Sequence, residues 1–417
     1  MRKPSPASPP PTIAIIGGGA SGLHAASHAA LQARKQDRKV SIHIFEKNPG
    51  IAKKLAITGS SQCNLTHDMS PQEMAEHYYE HNRTMRTILS KYDAYETIGF
   101  FISHGLSLTT REDGKVFPSS FDAQDVIQVL TTILEANDVE IHTSSPVSAL
   151  TYDAGHYILT LPQDKEFTSD ALIIATGGFT YPDTGSTGDG YRLARGLMHT
   201  ITPLRLALSP VKVTSTFSSS LSGITLEKVA VYAGGKRRGP QPLLFTHQGL
   251  SGPVILHSSR FMNTQDTIKV SFIDTHEQEM YEQIRTLCSR EGKKQLLTLL
   301  QTTALPRRLL EFILTSNGID GSRKGAEIGK EALRRISRDL TGMSFDISLK
   351  GMTGRAMVTS GGISIKEIDL RSMESKLYPR LYFCGEILDL DGETGGYNLQ
   401  AAWSTSAIAA EHCLSTL

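Results

Sequence analysis

Three glycines in GxGxxG spacing, Gly17, Gly19 and Gly22, follow the short β-branched run TIAII. A second run, VSIHIF, ends at Glu46, 24 residues past Gly22. Each position has a chemical reason. Gly17 permits a tight turn, Gly19 lets backbone approach a pyrophosphate, and Gly22 lets the next helix pack closely on the sheet. Amides at the start of that helix, around Ala20 and Ser21, then face the anion. The Glu46 carboxylate can accept charge-assisted hydrogen bonds from ribose hydroxyls, with Lys47 beside it. A glycine-rich turn alone can be purely structural. Strand, glycines, helix, strand and acid in this order predict a dinucleotide site.

Two further stretches say which dinucleotide. From Val147, three short strand-like segments lead into ALIIATGG, a buried strand ending at Thr176 and Gly177. Near the end of the chain, the strand LYFC is followed by Gly385 and Glu386. Next come Gly395-Gly396-Tyr397-Asn398-Leu399 and the helical stretch LQAAWSTSAIAAEHC. Glycines before a helix leave its amides free to approach an anion or a polar ring edge. A β-meander feeding an ATGG strand resembles the two-dinucleotide-binding-domain flavoproteins, which makes the cofactor FAD. No second GxGxxG of the right type appears, and AGGKRRG reads as a hairpin turn. A nicotinamide reductant, NAD(P)H, would therefore dock transiently.

The elements that position these residues read as an α/β fold. It is a Rossmann-like FAD-binding domain, built from residues 12–198 and 356–417, interrupted by a small β-barrel and a helical insert. Short β-like runs such as VKVTSTF, EKVAVYAGG and TIKVSFID place the barrel in 199–275 and 341–355. The pattern turns helical over 276–340, where Pro306 starts one helix and Gly318 ends it. Residues 1–11, rich in proline, read as a disordered tail.

Several segments together resemble the BaiN-like (YhiN-like) flavoproteins, described as NAD(P)/FAD-dependent or aminoacetone-oxidase-like oxidoreductases. They are KKLAITGSSQCNLT, DGKVFP, ATGGFTYPDTGSTGDGY, FTHQGLSGPVIL, VTSGGI and YFCGEILDLDGETGGYNLQAAW. The resemblance runs from residue 12 to the end. It implies an FAD enzyme and brings Lys54, Gln62, Cys63 and Asn64 to the cofactor. The family loop often reads GGGRCN, whereas this chain has Gly59-Ser60-Ser61-Gln62-Cys63-Asn64. A fixed positive charge is thereby lost, which argues against a role for this loop in holding an anionic substrate or anionic flavin.

Hydride transfer needs the flavin and correct positioning, and a proton donor completes it. Three candidates arise, each with a plainer reading. Cys63 lacks a partner cysteine and reads as a packed residue or a catalytic thiol. His247, in a glycine-bounded loop, titrates near neutrality and reads as an acid or a structural hydrogen-bonding group. Tyr397 reads as lining the flavin face or as core.

Composition narrows the classes. The 417 residues carry 43 Lys+Arg against 42 Asp+Glu, a balance that disfavours a nucleic-acid binder. Basic residues between Arg323 and Arg338 are interleaved with acids and read as a solvated helix face. The four cysteines are far apart, so neither a disulfide framework nor a cysteine metal site is expected, and no metal site of any kind. No apolar run is long enough to span a bilayer. The expectation is a cytoplasmic FAD-dependent oxidoreductase acting on a small organic substrate. The alternatives are an RNA-modifying or RNA-binding flavoprotein and a non-catalytic flavin-binding interaction protein. The oligomeric state is left open.

Overall fold

The computed structural model describes residues 9–215 and 219–417. Most of the tail expectation, and part of the VKVTSTF run, lie outside the described residues. The chain resolves into two units, 1–205 with 358–417, and 206–357.

The first unit is built on a parallel sheet. Its strands are β1 (Thr12–Ile16), β2 (Ser41–Phe45), β3 (Glu140–His142), β4 (Ala171–Ile174) and β5 (Leu381–Phe383). They lie in the order β3-β2-β1-β4-β5, all parallel, and two short antiparallel strands extend the β5 edge. β1, β2 and β4 are nearly all β-branched or apolar and almost wholly buried, as a sheet covered on both faces requires. Strand order reverses at β1, with β2 on one side and β4 on the other. Ligands of such sheets bind at that point, off the carboxyl ends of the strands.

Two helices cover this region. Helix α1 (Ala20–Lys35) leaves β1 directly. Helix α2 (Tyr397–Ser415) is buried over most of its surface, so it has no solvent stripe and sits inside the unit. Polar links pin it there. The Trp403 indole donates to the Leu65 carbonyl at 3.0 Å, and Ser406 Oγ lies 2.8 Å from His24 Nδ1 on α1. The meander forms as three antiparallel strands, Ala149–Asp153, His156–Thr160 and Glu166–Ser169. Helices between residues 71 and 103 also belong to this unit; the sequence reading did not place them.

The second unit joins a closed six-stranded barrel to a group of helices. The AGGKRRG segment turns at Gly234 and Gly235 between two long strands, as the hairpin reading expects. The helix starting after Pro306 runs Arg307–Ser316, with Gly318 in the left-handed region just past it.

Candidate cofactor site

Four of the sequence motifs fall at the carboxyl edge of the parallel sheet, each directly after a strand. Gly17–Gly22 follows β1, Glu46 follows β2, Thr176-Gly177 follows β4, and Gly385-Glu386 comes just after β5. Backbone bonds lock these ends together: Gly17 N–H donates to Phe45 O at 2.9 Å, and Ala175 N–H to Ile16 O at 2.8 Å.

The glycines are needed where the notional side chain would collide. A Cβ on Gly22 would lie 1.8 Å from Gly17 O, so the start of α1 can pack on the turn only as glycine. Gly19, by contrast, has nothing within 4 Å of a Cβ, leaving an open cradle beside the helix start. α1 has no side-chain cap and no acid in its first turn. Its first-turn amides are therefore left without a side-chain partner and suit a pyrophosphate. Thr176 Oγ1 is buried without a hydrogen-bond partner, a polar atom left for a ligand to satisfy. Glu46 is only 8% exposed. Its Oε2 accepts from the Gly18 amide at 2.8 Å, and Oε1 from the Asn48 backbone and side-chain amides at 2.8 and 2.7 Å. The carboxylate is thus held at the lip of the glycine turn. A cradle, an open helix end, an orphaned hydroxyl and a fixed acid fit the adenosine diphosphate portion of FAD.

A second group of residues converges around α2. Lys54 Nζ donates to Glu386 Oε2 at 2.6 Å and to Thr180 Oγ1 at 3.0 Å. Glu386 Oε1 accepts from the Thr359 amide at 2.8 Å, and Phe179 N–H donates to Thr359 Oγ1 at 2.9 Å. Thr180 and Thr359 stand in segments that carry the family resemblance, but no side-chain role was legible for them. The start of α2 is uncapped and free of acids, like α1. Gly396 is in the left-handed region, and a Cβ there would lie 2.7 Å from the Thr66 backbone. The Asn64 side-chain carbonyl accepts from the Gly396 amide at 3.0 Å while its NH2 donates to Thr66 O and Val116 O. Asn398 folds back on Gly392 and Glu393. Asn64 and Asn398 therefore shape the loop leading into α2.

Other candidates sit differently. Lys47 is engaged by Thr187 and Asp189. Val147 is buried in the core of the first unit, and Leu399 packs against it. Gln62 Oε1 accepts from Arg111 at 2.9 Å, and the Arg111 guanidinium lies 4.1 Å from the Phe117 ring centre. A positive group thus reaches the loop from another segment, although position 62 itself is neutral. Cys63 is fully buried, and burial pushes its thiol up to about 12, so it stays protonated at neutral pH. With no partner cysteine and a protonated thiol that pairs with Thr58, it fits packing rather than nucleophilic chemistry. Tyr397 stacks with two imidazoles, with ring centres 5.4 Å from His67 and 4.2 Å from His77. Burial raises its phenol to about 12. His77 Nδ1 lies 2.9 Å from Glu393 Oε2. Neither histidine was singled out in the sequence. His247 is exposed in a turn of the barrel and belongs to the second unit, whereas Cys63 and Tyr397 belong to the first.

Strand order and site together define a Rossmann-type FAD-binding domain. The chain belongs to the HI0933-like family, whose Rossmann-domain model matches residues 11–412. It is 29% identical to a 3-dehydro-bile acid delta(4,6)-reductase of Clostridium scindens, over 95% of this chain and 97% of that protein. It is also 29% identical to a ribosomal RNA dihydrouridine synthase of Haemophilus influenzae, over 94% and 96% of the two chains. Among solved structures, a 3-ketosteroid delta1-dehydrogenase of Sterolibacterium denitrificans shares the fold. Its TM-score is 0.50 at 12% identity, covering 97% of this chain and all of that one. The FrdA subunit of Escherichia coli quinol fumarate reductase gives a TM-score of 0.51 at 15% identity, covering 97% of this chain and 70% of that one. Among the described residues, no helix is long and apolar enough to cross a membrane.

Proposed function

We propose that this protein, an FAD-dependent oxidoreductase by family, saturates a carbon–carbon double bond conjugated to a carbonyl group. One observation carries the reading: two relatives matched over nearly their full length have names that describe this same chemistry on different molecules. A 3-oxo compound with delta-4,6 double bonds and a uracil ring both present an alkene polarised by a carbonyl. Reducing either adds a hydride to the carbon remote from the carbonyl and a proton to the nearer one. Bound FAD, when reduced, supplies the hydride.

The chain's own residues do the rest. The start of α1 and Glu46 hold the adenosine diphosphate end. The start of α2, set by Asn64, Gly395 and Gly396, offers partial positive charge to the ring system. Lys54 and Glu386 fix the segment after β5. Tyr397 is the proposed proton donor at Oη, because it carries a phenolic proton on the first residue of α2, directly after Gly395 and Gly396. NAD(P)H is the proposed reductant, docking transiently. The substrate is a small cyclic enone in the first instance; the balanced charge favours it over RNA.

The test is anaerobic stopped-flow mixing of reduced holoprotein with a 3-oxo-delta-4,6 steroid and, separately, with uridine-containing RNA. Return of the oxidised-flavin absorbance is expected with the enone. For Tyr397→Phe we expect about 100-fold slower return, within the range for loss of a general acid. A response to RNA alone would reassign the substrate. No response to either would overturn the reading.

A further inference from the structure

We propose that His43, Glu140 and His142 form a binding site for one divalent transition-metal ion of the zinc class, on the edge of the parallel sheet. His43 lies about a hundred positions from Glu140 and His142 in sequence, and strand pairing brings it beside them. β2 and β3 run parallel with His43 opposite Glu140 and Phe45 opposite His142. Side chains alternate faces along a strand, so His43, Glu140 and His142 project from the same face.

Their ligand atoms converge. His43 Nδ1 lies 3.0 Å from His142 Nε2 and 3.5 Å from Glu140 Oε2, and His142 Nε2 lies 3.8 Å from the same oxygen. Zinc bonds of roughly 2.0–2.1 Å in a tetrahedron set neighbouring ligand atoms about 3.3–3.4 Å apart. The triangle brackets that value, so shifts of a few tenths of an ångström would complete it. Without metal, His43 Nδ1 and His142 Nε2 share a nitrogen-to-nitrogen hydrogen bond. An entering metal ion would displace that proton and swing His142, the more exposed ring.

The surroundings suit such an ion. Ser41 Oγ lies 2.8 Å from His43 Nε2. Accepting the Nε2 proton there leaves the Nδ1 lone pair turned toward the site, the usual way an outer partner fixes a metal-binding imidazole. His142 is also backed by the Phe45 ring at 4.8 Å. With two nitrogens and one carboxylate oxygen, the set suits zinc or its neighbours over magnesium or calcium, which prefer all-oxygen shells. The site borders the cofactor region through the backbone, because the Glu46 amide donates to His142 O at 2.9 Å. Metal binding would therefore clamp the short edge strand β3 to the strand that carries Glu46.

The experiment is equilibrium dialysis of chelator-stripped, FAD-loaded protein against Zn2+, with bound metal counted by mass spectrometry and thermal unfolding followed in parallel. One ion per chain and a raised unfolding temperature are expected. His142→Ala, at a partly exposed position that should still fold, should lower zinc affinity at least about 100-fold and abolish the thermal shift. Ser41→Ala should lower affinity about 10- to 100-fold, as loss of an outer partner does. Absence of saturable one-to-one binding would overturn the proposal. So would zinc binding that is unchanged in His142→Ala.

Discussion

Replacing Glu46 with alanine is expected to weaken FAD binding by about 100-fold or more while leaving FMN binding nearly unchanged. The carboxylate is buried and fixed by the Gly18 and Asn48 amides beside the turn after β1. A ribose seated there would place two hydroxyls within its reach. Hydrogen bonds to a charged group contribute about 1.5–3 kcal/mol each, so loss of two is worth at least about two orders of magnitude in affinity. FMN lacks the adenosine ribose and cannot lose what it never had. Glu46→Gln keeps the shape and one acceptor, and should fall between the two. The measurement is equilibrium dialysis of apoprotein against each flavin. Equal FAD affinity in wild type and Glu46→Ala would remove the ribose role. A parallel loss for FMN would mean that the variant had instead disturbed the glycine turn.

That cofactor end of the molecule was legible because it is local. Gly17, Gly19, Gly22 and Glu46 fall within one strand–helix–strand unit, where spacing along the chain translates directly into geometry. The parallel order around β1 follows from buried β-branched runs, and the barrel from hairpins such as the one turning at Gly234 and Gly235. What the sequence hid is pairing at a distance. Lys54 and Glu386 meet across more than 300 residues, as do His67 and Tyr397. The Arg111–Gln62 contact puts a guanidinium beside a loop whose own position 62 is neutral. Asn64 reads as a cofactor residue, yet its side chain is spent on backbone groups of Thr66, Val116 and Gly396. Types and spacing say which chemistry is present. They do not say which side chain faces the ligand and which props up its neighbour, because that depends on strand register and helix rotation.

The protein is expected to lose stability steeply as pH falls from about 6.5 toward 4, and His28→Phe should remove much of that slope. His24 and His28 lie on α1 within a cluster of Tyr92, Phe100, Phe101 and Trp403. Burial pushes His24 well below the ordinary histidine value, and the neighbouring His28 adds to the effect. Burial likewise lowers His28 from 6.5 to about 4, with a smaller contribution from His104. Both are therefore neutral in the native state. Below pH 6.5 the unfolded chain takes up protons that the folded chain refuses, so stability rises with pH across this window and is lost on acidification. For His28 alone the interval corresponds to about 3 kcal/mol, a large part of a typical domain's stability. His28 also has a buried Nε2 without a partner, and its ring already stacks on Phe100 at 4.7 Å. Phenylalanine preserves that contact and leaves no unsatisfied nitrogen, so stability at neutral pH should be unchanged or higher by about 1 kcal/mol. Denaturant unfolding at several pH values between 7 and 4.5 measures both effects. The wild-type curve should fall more steeply than that of His28→Phe, with the remaining slope of the variant carried by His24 and by His43 and His199, which burial also lowers. Parallel curves would show that His28 does not contribute to the acid response.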